Sequence, residues 1–256
     1  MKFGRLLFPA LVPLVAMACG VSGSEPESNN VAQRTITVFA AASLTEAFTA
    51  LGAAFETTSP GVSVNFNFAA SSELVTQIVE GAPADVFAAA DTTTMSRLIE
   101  AGLTAADPVV FTTNRAEIIV ATGNPRAISS VADLADPDLV VIGCAPEVPC
   151  GRYATTLLER AGVAVTFKSL EENVRAVVAK VTLGEADAGI VYTTDVIAAG
   201  DAATGVAIPE DINVTAEYPI VVITDNRDTA GSQGFVDFVL SPQGRRILAS
   251  FGFRSP

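Results

Sequence analysis

The fold of this chain is decided by the run TITVFAAASLTE at residues 35–46. Its first part, Ile36 to Phe39, consists of β-branched and aromatic residues and predicts a buried strand. Its second part, Ser43 to Glu46, has the form of a capping box, in which the serine and the glutamate satisfy free N–H groups at the start of a helix. The run therefore predicts a strand that passes directly into a helix.

The alternation of strands and helices continues along the chain. Residues 62–68 alternate as a second strand, residues 73–79 predict a helix, and residues 86–89 predict a third strand. Further apolar strands are predicted at 118–121, 139–143, 189–192 and 218–223, and further helices at 153–160, 174–183, 235–239 and 245–251. This order of elements is typical of an α/β protein.

Composition excludes several classes of function. The 256 residues include 28 acidic and 15 basic side chains, and the net charge of -13 disfavours nucleic acid as a partner. The absence of histidine excludes Ser-His and Cys-His nucleophiles and metal sites built on histidine. No Walker loop or G-x-G-x-x-G motif is present, so nothing in the sequence indicates a nucleotide cofactor.

The N-terminal residues predict export. Lys2 and Arg5 precede an apolar run from Leu6 to Ala18 that is too short to span a bilayer, which is typical of a signal peptide at residues 1–18. The following Cys19 resembles the lipidated cysteine of a bacterial lipoprotein signal, and ordinary signal-peptidase cleavage is the alternative. Residues 19–33 predict a flexible tether because they are polar and lack apolar periodicity.

Serines stand at two junctions between a predicted strand and a helix, AAASLT at 40–45 and FAASSEL at 68–74. Backbone N–H groups and the positive end of the helix dipole meet at such junctions, and a serine adds a neutral donor. The pair of junctions therefore suits an oxyanion. The alternative is that both serines are ordinary helix N-caps.

Longer motifs identify a resemblance that extends over residues 35–253. The runs VFAAASL (38–44), QIVEGAPADVF (77–87) and GIVYTTD (189–195) resemble those of the periplasmic molybdate-binding proteins of ABC importers. EYP at 217–219 and FGF at 251–253 are also similar to that family.

The resemblance implies the fold of a type II periplasmic binding protein. Such a protein has two α/β lobes joined by two strand crossovers, with the ligand held in the cleft between them. Lobe 1 would contain residues 34–112 and 222–256, and lobe 2 residues 113–221. The crossovers would lie near Phe111–Arg115 and Glu217–Ile223.

The resemblance also implies five ligand donors, namely two hydroxyl groups, two backbone N–H groups and one phenol: Ser43, Ser71, Cys150, Val174 and Tyr192. Ser72 is an alternative to Ser71. Cys150 stands where the family has alanine, which leaves a main-chain contact possible. Without the resemblance, Tyr192 would be interpreted as an aromatic residue packed at the end of a strand.

Cys144 and Cys150 remain as a pair if Cys19 is lipidated. In an exported protein such a pair favours a disulfide, and two buried free thiols are the alternative.

Charged residues near these positions are expected to avoid the anion. A dianion can be discriminated by cavity size and neutral donors, so Arg152 and Arg175 are not assigned to it. We expect Arg175 to pair with a carboxylate such as Glu172 or to lie in a helix C-terminal environment. The acidic residues near strand ends are expected to be structural, because carboxylates repel a dianion: Asp85, Asp91 and Asp195.

Together these features predict a binding protein without enzymatic activity and without a cofactor or bound metal cation. It would act as a monomer outside the cytoplasmic membrane, capture molybdate and also tungstate, and deliver them to an ABC permease. Three alternatives are a carrier of sulfate or another tetrahedral oxyanion, an extracellular enzyme with Cys150 as nucleophile, and a sensor lobe that reports ligand to a membrane partner.

Overall fold

A mixed β-sheet of nine strands runs through residues 34–256, the part of the chain that the computed structural model describes. The strands are β1 (Arg34–Ala41), β2 (Val62–Ala69), β3 (Val86–Ala88), β4 (Val109–Ala121), β5 (Val141–Cys144), β6 (Ser169–Glu171), β7 (Ala188–Tyr192), β8 (Ala203–Ala207) and β9 (Thr215–Val222). The helices are α1 (Thr45–Thr58), α2 (Ser71–Val79), α3 (Thr92–Glu100), α4 (Pro149–Ala161), α5 (Val174–Thr182), α6 (Thr193–Ala199), α7 (Thr229–Leu240) and α8 (Pro242–Ser250).

Two long strands at the centre of the sheet connect two parallel sets. The strand order is β2-β1-β3-β9-β4-β7-β5-β6, and β8 pairs with β4 outside this path. β1 is parallel to β2 and β3, and β5 is parallel to β6 and β7. Between these sets, β9 runs antiparallel to β3 and β4, and β4 runs antiparallel to β7. The chain therefore passes from one parallel set to the other through β4 and returns through β9.

The predicted strands and helices are present, with four additions. α3, β6, α6 and β8 were not predicted from the sequence. Three of them are only three to seven residues long, too short to show a period. α3 begins with three threonines, which are weak helix formers, and depends on Asp91, whose side chain accepts a hydrogen bond from the Thr94 N–H group.

The capping box predicted at the start of the first helix is wrong. α1 begins at Thr45, after a 3-10 turn at Ala42–Leu44, and no side chain caps either element. Ser43 lies inside this turn, and its Oγ lies 2.9 Å from the Tyr218 hydroxyl oxygen instead. A tertiary contact has replaced the expected local one.

Phe48 fixes α1 against the sheet and thereby places the turn that contains Ser43. Its ring is fully buried and lies 6.2, 5.6 and 6.0 Å, between centroids, from the rings of Phe66, Phe111 and Phe235. Aromatic pairs of this kind contribute about 0.5–1.5 kcal/mol each beyond their buried area. Because Phe111 belongs to β4, this cluster also ties the first parallel set to a central strand.

The predictions for the N-terminus concern residues outside the described part of the chain, namely a signal peptide at 1–18, a tether at 19–33 and lipidation at Cys19. Between residues 34 and 256, no helix is both long enough and apolar enough to cross a membrane.

Candidate functional site

A small cavity lies where the first parallel set meets the second. Its empty volume is about 230 Å³, part of which is open to solvent. Because this volume includes open solvent, it is an upper bound, and it already lies below the roughly 300–1,000 Å³ of pockets for drug-sized ligands. The cavity therefore suits a smaller ligand. Its walls come from residues 41–90 on one side and 148–192 on the other: Ala41, Ala42, Ser43, Ala70, Ser71, Ala90, Val148, Pro149, Cys150, Asn173, Val174 and Tyr192. All five residues carried over from the family resemblance line it, whereas Ser72 does not.

Three helices begin at the cavity, and their first N–H groups are not satisfied by side chains. The N-cap residues of α2 and α4 make no side-chain cap. At α5, the Asn173 side chain accepts from the Ala176 N–H group, which leaves the preceding N–H of Val174 uncapped. The first N–H groups of a helix have no partner within the helix and carry its positive dipole. This arrangement favours an anion in the cavity.

The Ser71 hydroxyl is oriented by a hydrogen bond that it accepts. The Ala90 N–H group donates to Ser71 Oγ at 3.0 Å, and Ser71 is 1% exposed. Since an N–H group can only donate, the serine keeps its own proton for another partner. That proton is available to a ligand in the cavity.

Tyr192 presents a buried phenol without a partner. Its side chain lines the cavity, and its hydroxyl oxygen has no hydrogen-bond partner among residues 34–256. Burial raises the pKa of Tyr192 well above 10, so the phenol remains protonated. An unsatisfied buried polar group costs about 1–3 kcal/mol. A ligand that accepts this hydrogen bond would recover that cost.

Tyr192 is also the middle member of a chain of three tyrosine rings. Its centroid lies 6.3 Å from that of Tyr153 on α4 and 6.1 Å from that of Tyr218 on β9, both in edge-to-face geometry. These contacts hold the ring of Tyr192 in place from two sides.

A disulfide and a glycine shape the start of α4. Cys144 and Cys150 form a disulfide, the pairing that the sequence favoured. Cys150 therefore has no thiol to act as a nucleophile, although its backbone N–H still lies in the first turn of the helix. A Cβ atom at Gly151 would lie 1.9 Å from the carbonyl oxygen of Ala145, so only glycine permits this close approach.

The two arginines beside the site are paired with carboxylates rather than lining the cavity. Arg152 donates from Nε to Asp91 at 2.8 Å, and Arg175 Nη1 lies 2.6 Å from Glu46. The prediction that Arg175 pairs with a carboxylate is confirmed, but the partner is Glu46 in the first turn of α1 and not the suggested Glu172. Each pair joins an element of residues 34–112 to one of residues 113–221.

The three aspartates near strand ends accept backbone hydrogen bonds. Asp91 caps α3, Asp195 accepts from the Tyr192 N–H at 2.9 Å, and Asp85 accepts from the Arg227 N–H at 2.8 Å. Their roles are structural, as predicted. Among residues 34–256, no group of three or more histidine, cysteine, aspartate or glutamate side chains could hold a metal ion.

Tyr218 is the residue near the site that the sequence reasoning did not assign. The sequence places it in the EYP motif at 217–219 and in a predicted strand at 218–223, without a role in binding. A strand tyrosine is ordinarily a packing residue, and no local pattern indicates that its hydroxyl reaches Ser43, 175 positions earlier.

Comparison with known proteins places these features in context. Residues 36–254 match the family described as bacterial extracellular solute-binding protein. The molybdate-binding protein ModA of Mycobacterium tuberculosis is 43% identical over 252 residues, which cover 98% of this chain and 97% of that protein.

Two solved structures share the fold. The Azotobacter vinelandii periplasmic molybdate-binding protein superposes with a TM-score of 0.77 at 19% identity, covering 86% of this chain and 99% of that one. The sulfate-binding protein SubI of Mycobacterium tuberculosis superposes with a TM-score of 0.80 at 22% identity, covering 87% of each chain. At these identities the likeness shows the fold alone, which is that of a type II periplasmic binding protein, as predicted.

The buried Asp195 gives the stability of the protein a specific pH dependence. Burial raises the pKa of its carboxyl from 3.8 to about 7. In the unfolded chain the proton is lost near pH 4, so between pH 4 and 7 the folded state binds more protons and the free energy of unfolding falls as pH rises. Asp195→Asn should keep an acceptor for the Tyr192 N–H and should abolish this fall in the free energy of unfolding, because the amide does not titrate. Relative to wild type, the variant should gain on the order of 1–4 kcal/mol between pH 4.5 and 8.

Urea unfolding followed by circular dichroism at several pH values measures this difference. Asp201→Asn, which changes an exposed carboxylate, is the matched control and should show no such trend. A difference between Asp195→Asn and wild type that is the same at every pH would contradict the assignment.

Proposed function

Because this chain belongs to the family of bacterial extracellular solute-binding proteins, we propose that it is the substrate-binding component of an ABC importer and that its cavity captures molybdate. It acts as a monomer outside the cytoplasmic membrane, where it binds the anion and delivers it to a permease. It binds and releases its ligand without changing it, so it is not an enzyme. The 43% identity to the mycobacterial molybdate-binding protein supports molybdate as the ligand.

The observation that carries the proposal is the phenol of Tyr192, which has no hydrogen-bond partner among residues 34–256 and faces a cavity to which those residues contribute no charged side chain. A tetrahedral dianion has only acceptors, so it complements a cavity whose hydroxyl and backbone N–H groups can donate to it. Hydrogen bonds to a charged group contribute about 1.5–3 kcal/mol each, so several of them together replace a counter-charge.

We assign the donors to both walls of the cavity. The hydroxyl groups of Ser43 and Ser71 donate to the anion from one wall. The backbone N–H groups of Cys150 and Val174 and the phenol of Tyr192 donate to it from the other. Five neutral donors fixed by helices and strands define the distances at which an oxygen atom fits. Molybdate and tungstate have longer bonds to oxygen than sulfate, so a cavity set for them stretches the hydrogen bonds to sulfate.

Calorimetric titration of the purified protein with molybdate, tungstate, sulfate and phosphate tests the ligand. We expect molybdate and tungstate to bind more tightly than sulfate by about two orders of magnitude, the equivalent of losing one or two charge-assisted hydrogen bonds. Tyr192→Phe should weaken molybdate binding by about 10- to 150-fold. Tyr153→Phe, which removes a hydroxyl that does not line the cavity, is the control. Equal affinity for sulfate and molybdate in the wild-type protein would refute the ligand assignment.

The proposal includes closure of two lobes on the ligand. We assign residues 34–112 and 222–256 to one lobe and residues 113–221 to the other, with β4 and β9 as the connection. An anion that needs donors from both walls then favours the closed form by its higher affinity for it. The ion pairs Arg152–Asp91 and Arg175–Glu46 would form across the cleft on closure and add to the stability of that form.

Small-angle scattering with and without molybdate tests closure. The radius of gyration should decrease on binding. Arg152→Met should populate more open molecules without ligand and weaken binding, because closure would leave Asp91, which is 3% exposed, without its partner. The control Arg126→Met removes a contact with Asp187 that lies within residues 113–221. If saturating molybdate leaves the scattering profile of the wild type unchanged, the closure mechanism is wrong.

We further propose that the mature protein is held at the outer face of the membrane by a lipid on Cys19. Intact-mass analysis of the protein from its native host should then show a diacylated or triacylated N-terminal cysteine, and the protein should fractionate with membranes. Cys19→Ser should abolish both. A soluble wild-type protein that begins at an unmodified residue would instead indicate ordinary signal-peptidase cleavage.

A further inference from the structure

Tyr218 makes a buried hydrogen bond to one of the proposed ligand donors. It lies on β9, its side chain is 0% exposed, and its hydroxyl oxygen is 2.9 Å from Ser43 Oγ. Either hydroxyl could be the donor by distance alone, so the direction of this bond must be decided from the surroundings.

Among residues 34–256, the Tyr218 hydroxyl has one hydrogen-bond partner, Ser43 Oγ. The nearby Asn114 side chain donates instead to Thr194 Oγ1, at 2.8 Å. The Asn114 carboxamide oxygen already accepts from the Arg115 N–H at 2.9 Å. A buried hydroxyl proton without an acceptor costs about 1–3 kcal/mol. Donation from Tyr218 to Ser43 Oγ avoids this cost, because Ser43 lines the cavity and can direct its own proton there.

We propose that Tyr218 is a positioning residue for the anion site: its hydroxyl donates to Ser43 Oγ and thereby directs the Ser43 proton into the cavity. This inference rests on the proposed function. A residue that does not line the cavity would thus determine the direction in which a ligand donor points.

The second serine supports this interpretation. Ser71 Oγ accepts from the Ala90 N–H at 3.0 Å, so its proton is also left for the cavity. Both serines thus accept one hydrogen bond from the protein and keep one for the ligand. At Ser71 the donor is a backbone group, whereas at Ser43, inside a 3-10 turn without a side-chain cap, the donor is a side chain. The orientation of Ser43 therefore depends on Tyr218.

The ring of Tyr218 is held independently of its hydroxyl. It packs edge to face against Phe253 at 5.5 Å, Tyr192 at 6.1 Å and Phe111 at 6.4 Å between centroids. Tyr218→Phe should keep these contacts and remove only the hydrogen bond. The variant therefore separates positioning from packing.

A double-mutant cycle measured by molybdate titration tests the inference. Tyr218→Phe should weaken binding by about 10-fold, and Ser43→Ala by about 10- to 150-fold. In the Ser43→Ala background, Tyr218→Phe should have no further effect on affinity, because its contribution passes through Ser43. Ser96→Ala, which removes an exposed hydroxyl on α3 that donates to the Thr92 carbonyl oxygen, should leave the affinity near that of wild type.

Unchanged affinity in Tyr218→Phe would overturn the inference. An equal loss of affinity on adding Tyr218→Phe to wild type and to Ser43→Ala would also overturn it, since a structural role alone predicts that result. Far-ultraviolet circular dichroism and thermal unfolding check that each variant is folded. A wild-type protein that binds no oxyanion would refute the proposed function itself, and the wild-type titration alone would reveal this.

A second measurement leaves Tyr218 intact. In the proton NMR spectrum of the wild type, the Tyr218 hydroxyl should exchange slowly with solvent because it is buried and hydrogen-bonded. In Ser43→Ala it should exchange faster or shift upfield. An identical hydroxyl signal in both proteins would contradict donation to Ser43.

Discussion

Holding a doubly charged anion without a counter-charge requires a hydrogen-bond donor for each of its oxygen atoms, and this requirement accounts for the structure around the cavity. Backbone donors are concentrated where α4 and α5 begin. Hydroxyl donors stand at the ends of strands, where parallel β-strands give way to helices. Since no single wall surrounds a tetrahedral ion, both parallel sets of strands must contribute. The two central strands, β4 and β9, are what bring these sets together.

The same requirement explains why charged side chains near the cavity are paired. Arg152 and Arg175 are close in sequence to proposed ligand residues, yet their guanidinium groups are bound to Asp91 and Glu46. A free cation beside the cavity would attract any anion, including sulfate, phosphate and chloride. With the arginines paired, discrimination in the proposed site depends on distance and geometry, which fixed neutral donors enforce more strictly than a charge does.

Much of this architecture could be predicted from the sequence, because strands and helices are encoded by local apolar patterns. The strands at 36–39 and 189–192 and the helix that follows residue 174 were all identified in this way. The parts that could not be predicted depend on contacts between distant residues. Ser43 has the local pattern of a helix cap, but its hydroxyl group is hydrogen-bonded to Tyr218, 175 positions later. Arg175 likewise pairs with Glu46, 129 positions earlier, rather than with its neighbour Glu172.

The chain of three tyrosine rings has a practical consequence. The full sequence contains three tyrosines and no tryptophan, and those three residues are Tyr153, Tyr192 and Tyr218. All of the tyrosine absorption and fluorescence of the protein therefore originates beside the cavity, from rings coupled at 6.1 and 6.3 Å. An anion that accepts the phenolic hydrogen bond of Tyr192 alters the electronic surroundings of all three tyrosine rings. With Tyr192 as the proposed donor, the unlabelled protein thus contains its own optical reporter of ligand occupancy, free of background from tryptophan and from tyrosines elsewhere in the chain.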